Sequence, residues 1–112
     1  MTTLKSNDEI ARALFFYGSA TVSTAVGVPT PRTGYVVGNG HAAFSSPAFS
    51  DVVEWVAANK NRASFLGSWY DGGLIHLDVV SILPELANAI IAGTKFTQEA
   101  VYNLGTKETI SL

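Results

Sequence analysis

With 112 residues, 47% of them hydrophobic and 14% charged, the chain has material for one core and carries no signature of disorder. Seven basic and nine acidic side chains give a formal net charge of -2, and of the cations only Lys60 and Arg62 lie close together; the concentrated positive field that phosphate backbones demand is missing, which disfavours nucleic acid as a partner. There is no cysteine, which rules out disulfides, thiolate nucleophiles and Cys-based zinc sites.

The charged fraction is low against roughly 25% in an ordinary domain. The surface must then be covered by small polar and apolar groups, a composition that favours a homo-oligomer. Uncharged apolar runs fall short of the roughly 18–20 residues that cross a bilayer. Asp8, Glu9 and Arg12 precede the first apolar stretch, which does not suit a signal peptide. The expectation is a cytoplasmic protein with no membrane contact and no cofactor.

Ser6, Asn7, Asp8 and Glu9 have the form of a capping box, in which Ser6 Oγ accepts from the Glu9 amide and Glu9 reaches back. Ile10, Ala13, Leu14 and Tyr17 recur at helical spacing and Gly18 suits the C′ position, predicting a helix over about residues 7–17. Residues 20–24 are β-branched and residues 34–38 read as a second strand; Gly27, Pro29 and Pro31 lie between them, so the two are expected to pair through a loose loop. Asn39, Gly40 and His41 then begin a turn. Ser46 as N-cap with Pro47 at the first helical position announces a second helix. Its buried stripe is Phe49, Val52, Val53 and Val56, with Trp55 toward the edge and a polar, basic tail at residues 59–62 that suits the helix dipole.

The clearest hairpin joins residues 64–70 to residues 74–80 across Asp71, Gly72 and Gly73. A two-residue turn puts Phe65, Gly67 and Trp69 on one face with Leu74, His76, Asp78 and Val80. Leu66, Ser68, Tyr70, Ile75, Leu77 and Val79 are left for the core. Pro84 and Glu85 open a third helix, with an acid in the first turn as the dipole favours, and Leu86, Ala89, Ile90 and Gly93 mark its apolar side and end. Residues 99–104 read as a strand, 105–108 as a turn and 109–112 as a short final strand. The expected fold is α+β, an antiparallel sheet with helices on one face, in the ferredoxin-like order β-α-β-β-α-β after an N-terminal helix. One domain is expected, with the first helix and an irregular hairpin in residues 1–32 and the α+β core in residues 33–112.

Four segments in this order, Thr33-Gly-Tyr-Val-Val-Gly38, Phe65-Leu-Gly-Ser-Trp-Tyr-Asp71, Leu77-Asp-Val-Val80 and Glu99-Ala-Val-Tyr-Asn-Leu-Gly105, carry a resemblance. Over roughly residues 33–110 the chain resembles a group of small proteins of actinobacteria and their phages, in which a GSW-x-D hairpin is followed by an LDV strand, a helix and an AIYDL-type hairpin. It departs at Asn103, where Asp is commoner, and at Lys107, where Gly is commoner in the turn. The group has no established activity or catalytic residues, so the resemblance implies a fold and a bacterial or phage origin only.

The residues best placed for chemistry are Trp69, His76 and Asp78, with Asp71 beside them. His76 and Asp78 are two apart on a strand and project the same way. Asp78 can orient the imidazole for base catalysis or metal binding while Trp69 offers a stacking surface; the duller account is a polar sheet face with an ordinary Trp–His cross-strand pair. His41 gains meaning only if folding brings it near His76, because two His and a carboxylate make a minimal metal site. Gly34, Gly38 and Gly40 lack the spacing of a phosphate loop, and Ser45 and Ser46 lack a neighbouring base. The leading functional expectation is a phage or bacterial accessory protein acting by protein–protein binding, as a homodimer whose final strand pairs with a neighbour. The alternatives are a small-molecule-binding protein or small enzyme using Trp69, His76 and Asp78, and a single-stranded nucleic-acid binder that stacks bases on Trp69 and Tyr35 beside Lys60 and Arg62.

Overall fold

A computed structural model of the chain describes residues 3–17, 19–45 and 48–112, with His41 described by its backbone alone. Among the described residues are three helices, α1 (Asn7–Phe16), α2 (Phe49–Asn59) and α3 (Leu86–Lys95), and six strands, β1 (Ala20–Ser23), β2 (Tyr35–Ser45), β3 (Phe65–Asp71), β4 (Leu74–Leu83), β5 (Ala100–Asn103) and β6 (Thr109–Ser111). The strands form one sheet in the order β1-β3-β4-β2-β5-β6, and every pairing is antiparallel. The mixed α+β class therefore holds, in a sheet wider than the four strands of the ferredoxin-like order. No described helix is long and apolar enough to cross a membrane.

α1 starts where Ser6 Oγ accepts the Glu9 amide at 3.1 Å. Ile10, Ala11 and Leu14 bury one face of it. Tyr17 was expected on this stripe, but the helix ends at Phe16 and Tyr17, at the C-cap with φ -92° and ψ 1°, is 77% exposed. Gly18, the expected C′ residue, lies outside the described residues. No basic side chain serves the last turn of α1. Hydroxyls from β3 do so instead: Ser68 donates to Leu14 O at 2.8 Å and Tyr70 to Phe15 O at 2.6 Å, satisfying carbonyls that the helix itself leaves open.

α2 begins at Ala48, whose amide donates to Asp51 Oδ2 at 2.9 Å; the expected cap, Ser46 with Pro47, lies outside the described residues. Val52 and Val56 are fully buried, with Phe49, Val53 and Trp55 partly so, as the spacing predicts. They close a core with Ile10 and Leu14 of α1 and with Leu66, Ile75, Leu77 and Val79 of the hairpin, each such side chain contributing about 1.5–3 kcal/mol of transfer free energy. A second cluster joins Val37, Ala89 and Val101, with Leu83 packed against it. Leu83 lies on the same face of β4 as Leu77 and Val79, so all three helices cover one side of the sheet.

Three expectations need correction. β1 does not pair with β2: Ala20 to Ser23 run against Ser68 to Phe65, which places Val22 in the α1–α2 core, while the chain carrying Pro29 and Pro31 crosses the end of the sheet. Asn39, Gly40 and His41 are not a turn, because β2 continues to Ser45 through a β-bulge between Gly38 and Gly40. The apolar side of α3 is also different. Pro84 and Glu85 precede the helix, Glu85 stands at the cap, and the first turn holds no acid. Ala89 and Gly93 face the sheet, whereas Leu86, Ile90 and Ile91 are 37%, 39% and 67% exposed. Close approach explains it: a Cβ on Gly93 would stand 2.6 Å from Leu112 Cδ1 and 3.2 Å from Val101 Cγ1.

α3 ends in a Schellman arrangement, with the Gln98 amide donating to Gly93 O at 2.8 Å and the Thr97 amide to Thr94 O at 3.1 Å. The C′ residue is Thr97 at φ 57°, a left-handed conformation that a β-branched residue adopts only under strain.

Candidate functional site

The β3–β4 hairpin turns on Gly72 and Gly73, both with positive φ (59° and 79°), as a two-residue type I′ turn requires. The register is the one expected, with Phe65 opposite Val80, Gly67 opposite Asp78 and Trp69 opposite His76. Leu66, Ile75, Leu77 and Val79 are buried against the helices, so Trp69, His76 and Asp78 stand on the other side of the sheet.

Trp69 and His76 lie flat on each other, ring centroids 4.9 Å apart and planes 4° from parallel. The indole is exposed and the imidazole half-buried beside it. A stacked pair of this kind contributes about 0.5–1.5 kcal/mol beyond the area it covers, and it presents an accessible aromatic surface.

Asp78 differs from the expected surface carboxylate. It is 1% exposed, and its Oδ1 accepts the amides of Asn39 at 3.2 Å and Gly40 at 2.8 Å. Those two amides belong to the bulge of β2, so the carboxylate replaces ladder partners that the bulge takes away. Charge-assisted bonds to backbone amides are what make such a buried anion tolerable. Gly38 has no side chain because Asp78 is there: a Cβ at this position would meet Asp78 Oδ2 and Gln98 Oε1. The primary geometry of Asp78 is thus that of a bulge-holding residue.

His41 is in strand β2, at the register position opposite Asp78 and two residues from Ala43, which is opposite His76. The expectation of a loop position is overturned by the continuation of β2 past the bulge. Asp71 is exposed at the far end of β3, opposite Leu74, four residues or about 13 Å along the strand from the position opposite Asp78. It is two residues from Trp69 on the same face of β3. Among the described residues no three His, Asp or Glu side chains gather in a way that could hold a metal ion. Tyr35 is opposite Leu83 and packs with the second core cluster on the helix side; Trp69 is on the opposite face, so the two do not form one stacking platform.

The polar, basic tail expected at residues 59–62 forms a bonded group that the sequence did not disclose. Arg62 Nη1 donates to Asn59 Oδ1 at 2.7 Å, Asn59 Nδ2 donates to Trp55 O at 2.8 Å, and Lys60 Nζ donates to Lys5 O at 3.1 Å. The available signal was two cations one residue apart at the end of a helix. Two concavities of about 280 and 490 Å³ meet at Arg62, and neither is lined by Trp69, Asp71, His76 or Asp78. No protein-family model, curated protein or solved structure matches the chain.

Proposed function

We propose that the chain is a protein-binding module that works as a homodimer, with the outer face of α3 as the contact between copies. What supports the reading is the apolar surface that α3 leaves uncovered. Ala89 and Gly93 lie on the sheet, Leu86 and Ile90 beside them stay 37% and 39% exposed, and Ile91 is 67% exposed. Exposed apolar surface concentrated on one element is what interaction sites are built from. A second copy is the occupant favoured by charge. Residues 86–94 contain no ionisable side chain, and a two-fold contact sets each residue near its own counterpart, where any charge would meet its like.

The test is molar mass by light scattering over a concentration series. The wild type is expected to dimerise and Ile91→Glu to be monomeric, with folding little changed because the site is exposed. A wild type that stays monomeric at the highest concentration, or an Ile91→Glu protein of unchanged mass, would sink the reading. On this proposal the chain is an accessory protein of bacterial or phage origin, as in the group it resembles. The inner strands β3-β4-β2-β5 with α2 and α3 are read as a ferredoxin-like unit widened by β1 and β6; the strand order supports this.

A second reading, small-molecule binding or catalysis on the Trp69–His76 face, has the accessible stacked rings in its favour. Loss of that activity or binding in His76→Ala is its requirement; an unchanged His76→Ala protein ends it.

A further inference from the structure

Where α2 runs out toward β3, two concavities share Arg62, Ala63 and Ser64. The smaller is bounded by Asn39, Phe65 and Val80, the larger by Leu4, Ala25, Val28 and Lys60. Among the described residues no carboxylate lines either; Arg62 lines both and Lys60 the larger. In a chain with seven cations in all, two of them stand on one seam.

The guanidinium is positioned by a neutral group. Asn59 is buried, fixed by its bond to Trp55 O, and receives Arg62 through Oδ1. A carboxylate in that place would orient the arginine and cancel its charge; a carboxamide orients it and leaves the charge intact. Lys60 donates to the Lys5 carbonyl, which occupies one of its three N–H donors. The C-terminus of α2 brings a negative dipole end near both, equivalent to about half a charge. Two full positive charges outweigh it. The far side of the larger hollow is apolar, with Leu4 and Val28 exposed above it.

We propose that this seam binds a small amphiphilic phosphate monoester, its head on Arg62 and Lys60 and its non-polar group against Leu4, Ala25 and Val28. A planar fork and a compact ammonium together suit a dianionic head with several acceptor oxygens. The site is independent of the dimer contact on α3.

The experiment is a titration of the full chain with phenyl phosphate, inorganic phosphate and phenol, followed through backbone amide shifts. Phenyl phosphate is expected to bind tightest, in about the millimolar range, with saturating shifts at residues 60–64 and around Leu4 and Val28. Added salt should weaken it. Arg62→Gln and Lys60→Gln should each reduce affinity about tenfold or more, while Lys95→Gln on α3 should not. Because both substitutions are at the surface end of α2, an unchanged spectrum elsewhere certifies each fold, and either variant alone carries the test. Absence of a saturable shift with phenyl phosphate, or equal affinity in wild type and variants, overturns the site. Equal affinities for phenyl phosphate and inorganic phosphate overturn the amphiphilic ligand.

Discussion

Gly38→Ala would place a methyl group where the Asp78 carboxylate lies. The new Cβ would stand against Asp78 Oδ2, 2.8 Å from Asp78 Cγ and 2.7 Å from Gln98 Oε1. Gln98 can swing aside because only the end of a flexible side chain is involved. Asp78 cannot move without releasing the amides of Asn39 and Gly40. Overpacking costs about 1–3 kcal/mol, and a lost hydrogen bond to a charged acceptor about 1.5–3 kcal/mol. Restricting the unfolded chain by Gly→Ala returns only about 0.4–1 kcal/mol. The net expectation is a loss of about 2–4 kcal/mol in urea unfolding. Asp78→Ala, which strands two bulge amides, should cost about 3–5 kcal/mol by the same reasoning. The double variant discriminates. With the carboxylate gone, the methyl group enters vacated space, so the two costs should fall short of their sum by about 1–3 kcal/mol. Strict additivity would refute the close approach of the Gly38 backbone to the Asp78 carboxyl on which the coupling rests.

Thr97→Gly should stabilise the protein by about 1 kcal/mol, because it removes a β-branched residue from the left-handed C′ position of α3; a lower thermal midpoint would show that Thr97 makes compensating contacts. Tyr70→Phe removes the bond from the phenol to Phe15 O and should cost about 0.5–1.5 kcal/mol at neutral pH. Burial raises the Tyr70 phenol above its ordinary value. The folded state then holds its proton more tightly than the unfolded one, so this stabilisation is complete below pH ~10 and is lost as pH rises through the raised folded value. Stability measured across that alkaline window should fall less steeply in Tyr70→Phe, and identical slopes would count against the linkage.

Local signals with a short physical range were legible in the sequence. The Ser6 cap, the Gly72–Gly73 turn and the alternation along residues 65–80 depend on neighbours a few positions away, and the helix–hairpin core followed from them. What was illegible depends on partners distant in the chain. Whether residues 20–23 pair with β2 or β3 is decided by the burial of Val22 beneath α1, which no local pattern expresses. The bulge at Gly38–Gly40 was read as a turn because its two glycines look alike in either role; the deciding group, Asp78, is 39 residues from Asn39. Asp78 itself was placed on the correct face but assigned the wrong environment, since alternation gives direction and says nothing of depth. On α3 the expected side was right at Ala89 and Gly93, but hydrophobicity alone cannot show that Gly93 must lie against Leu112 and Val101 while Leu86 and Ile90 stay partly exposed. Lys107, in the turn expected at residues 105–108, has a φ of 68°, a left-handed conformation that favours glycine and that a lysine in the sequence does not announce.

The two outermost strands of the sheet are short, four residues in β1 and three in β6. A foreign strand adding to either margin runs out of amides after two or three bonds, too few to offset the entropy of ordering it. β2 is the exception: β5 pairs with it only at Tyr35 and Val36, so among the described residues no strand follows its outer edge from Gly38 to Ser45, and an added strand would find its row of amides there. Amyloid lag times should accordingly respond to substitutions along that stretch of β2 more than to substitutions in β1 or β6.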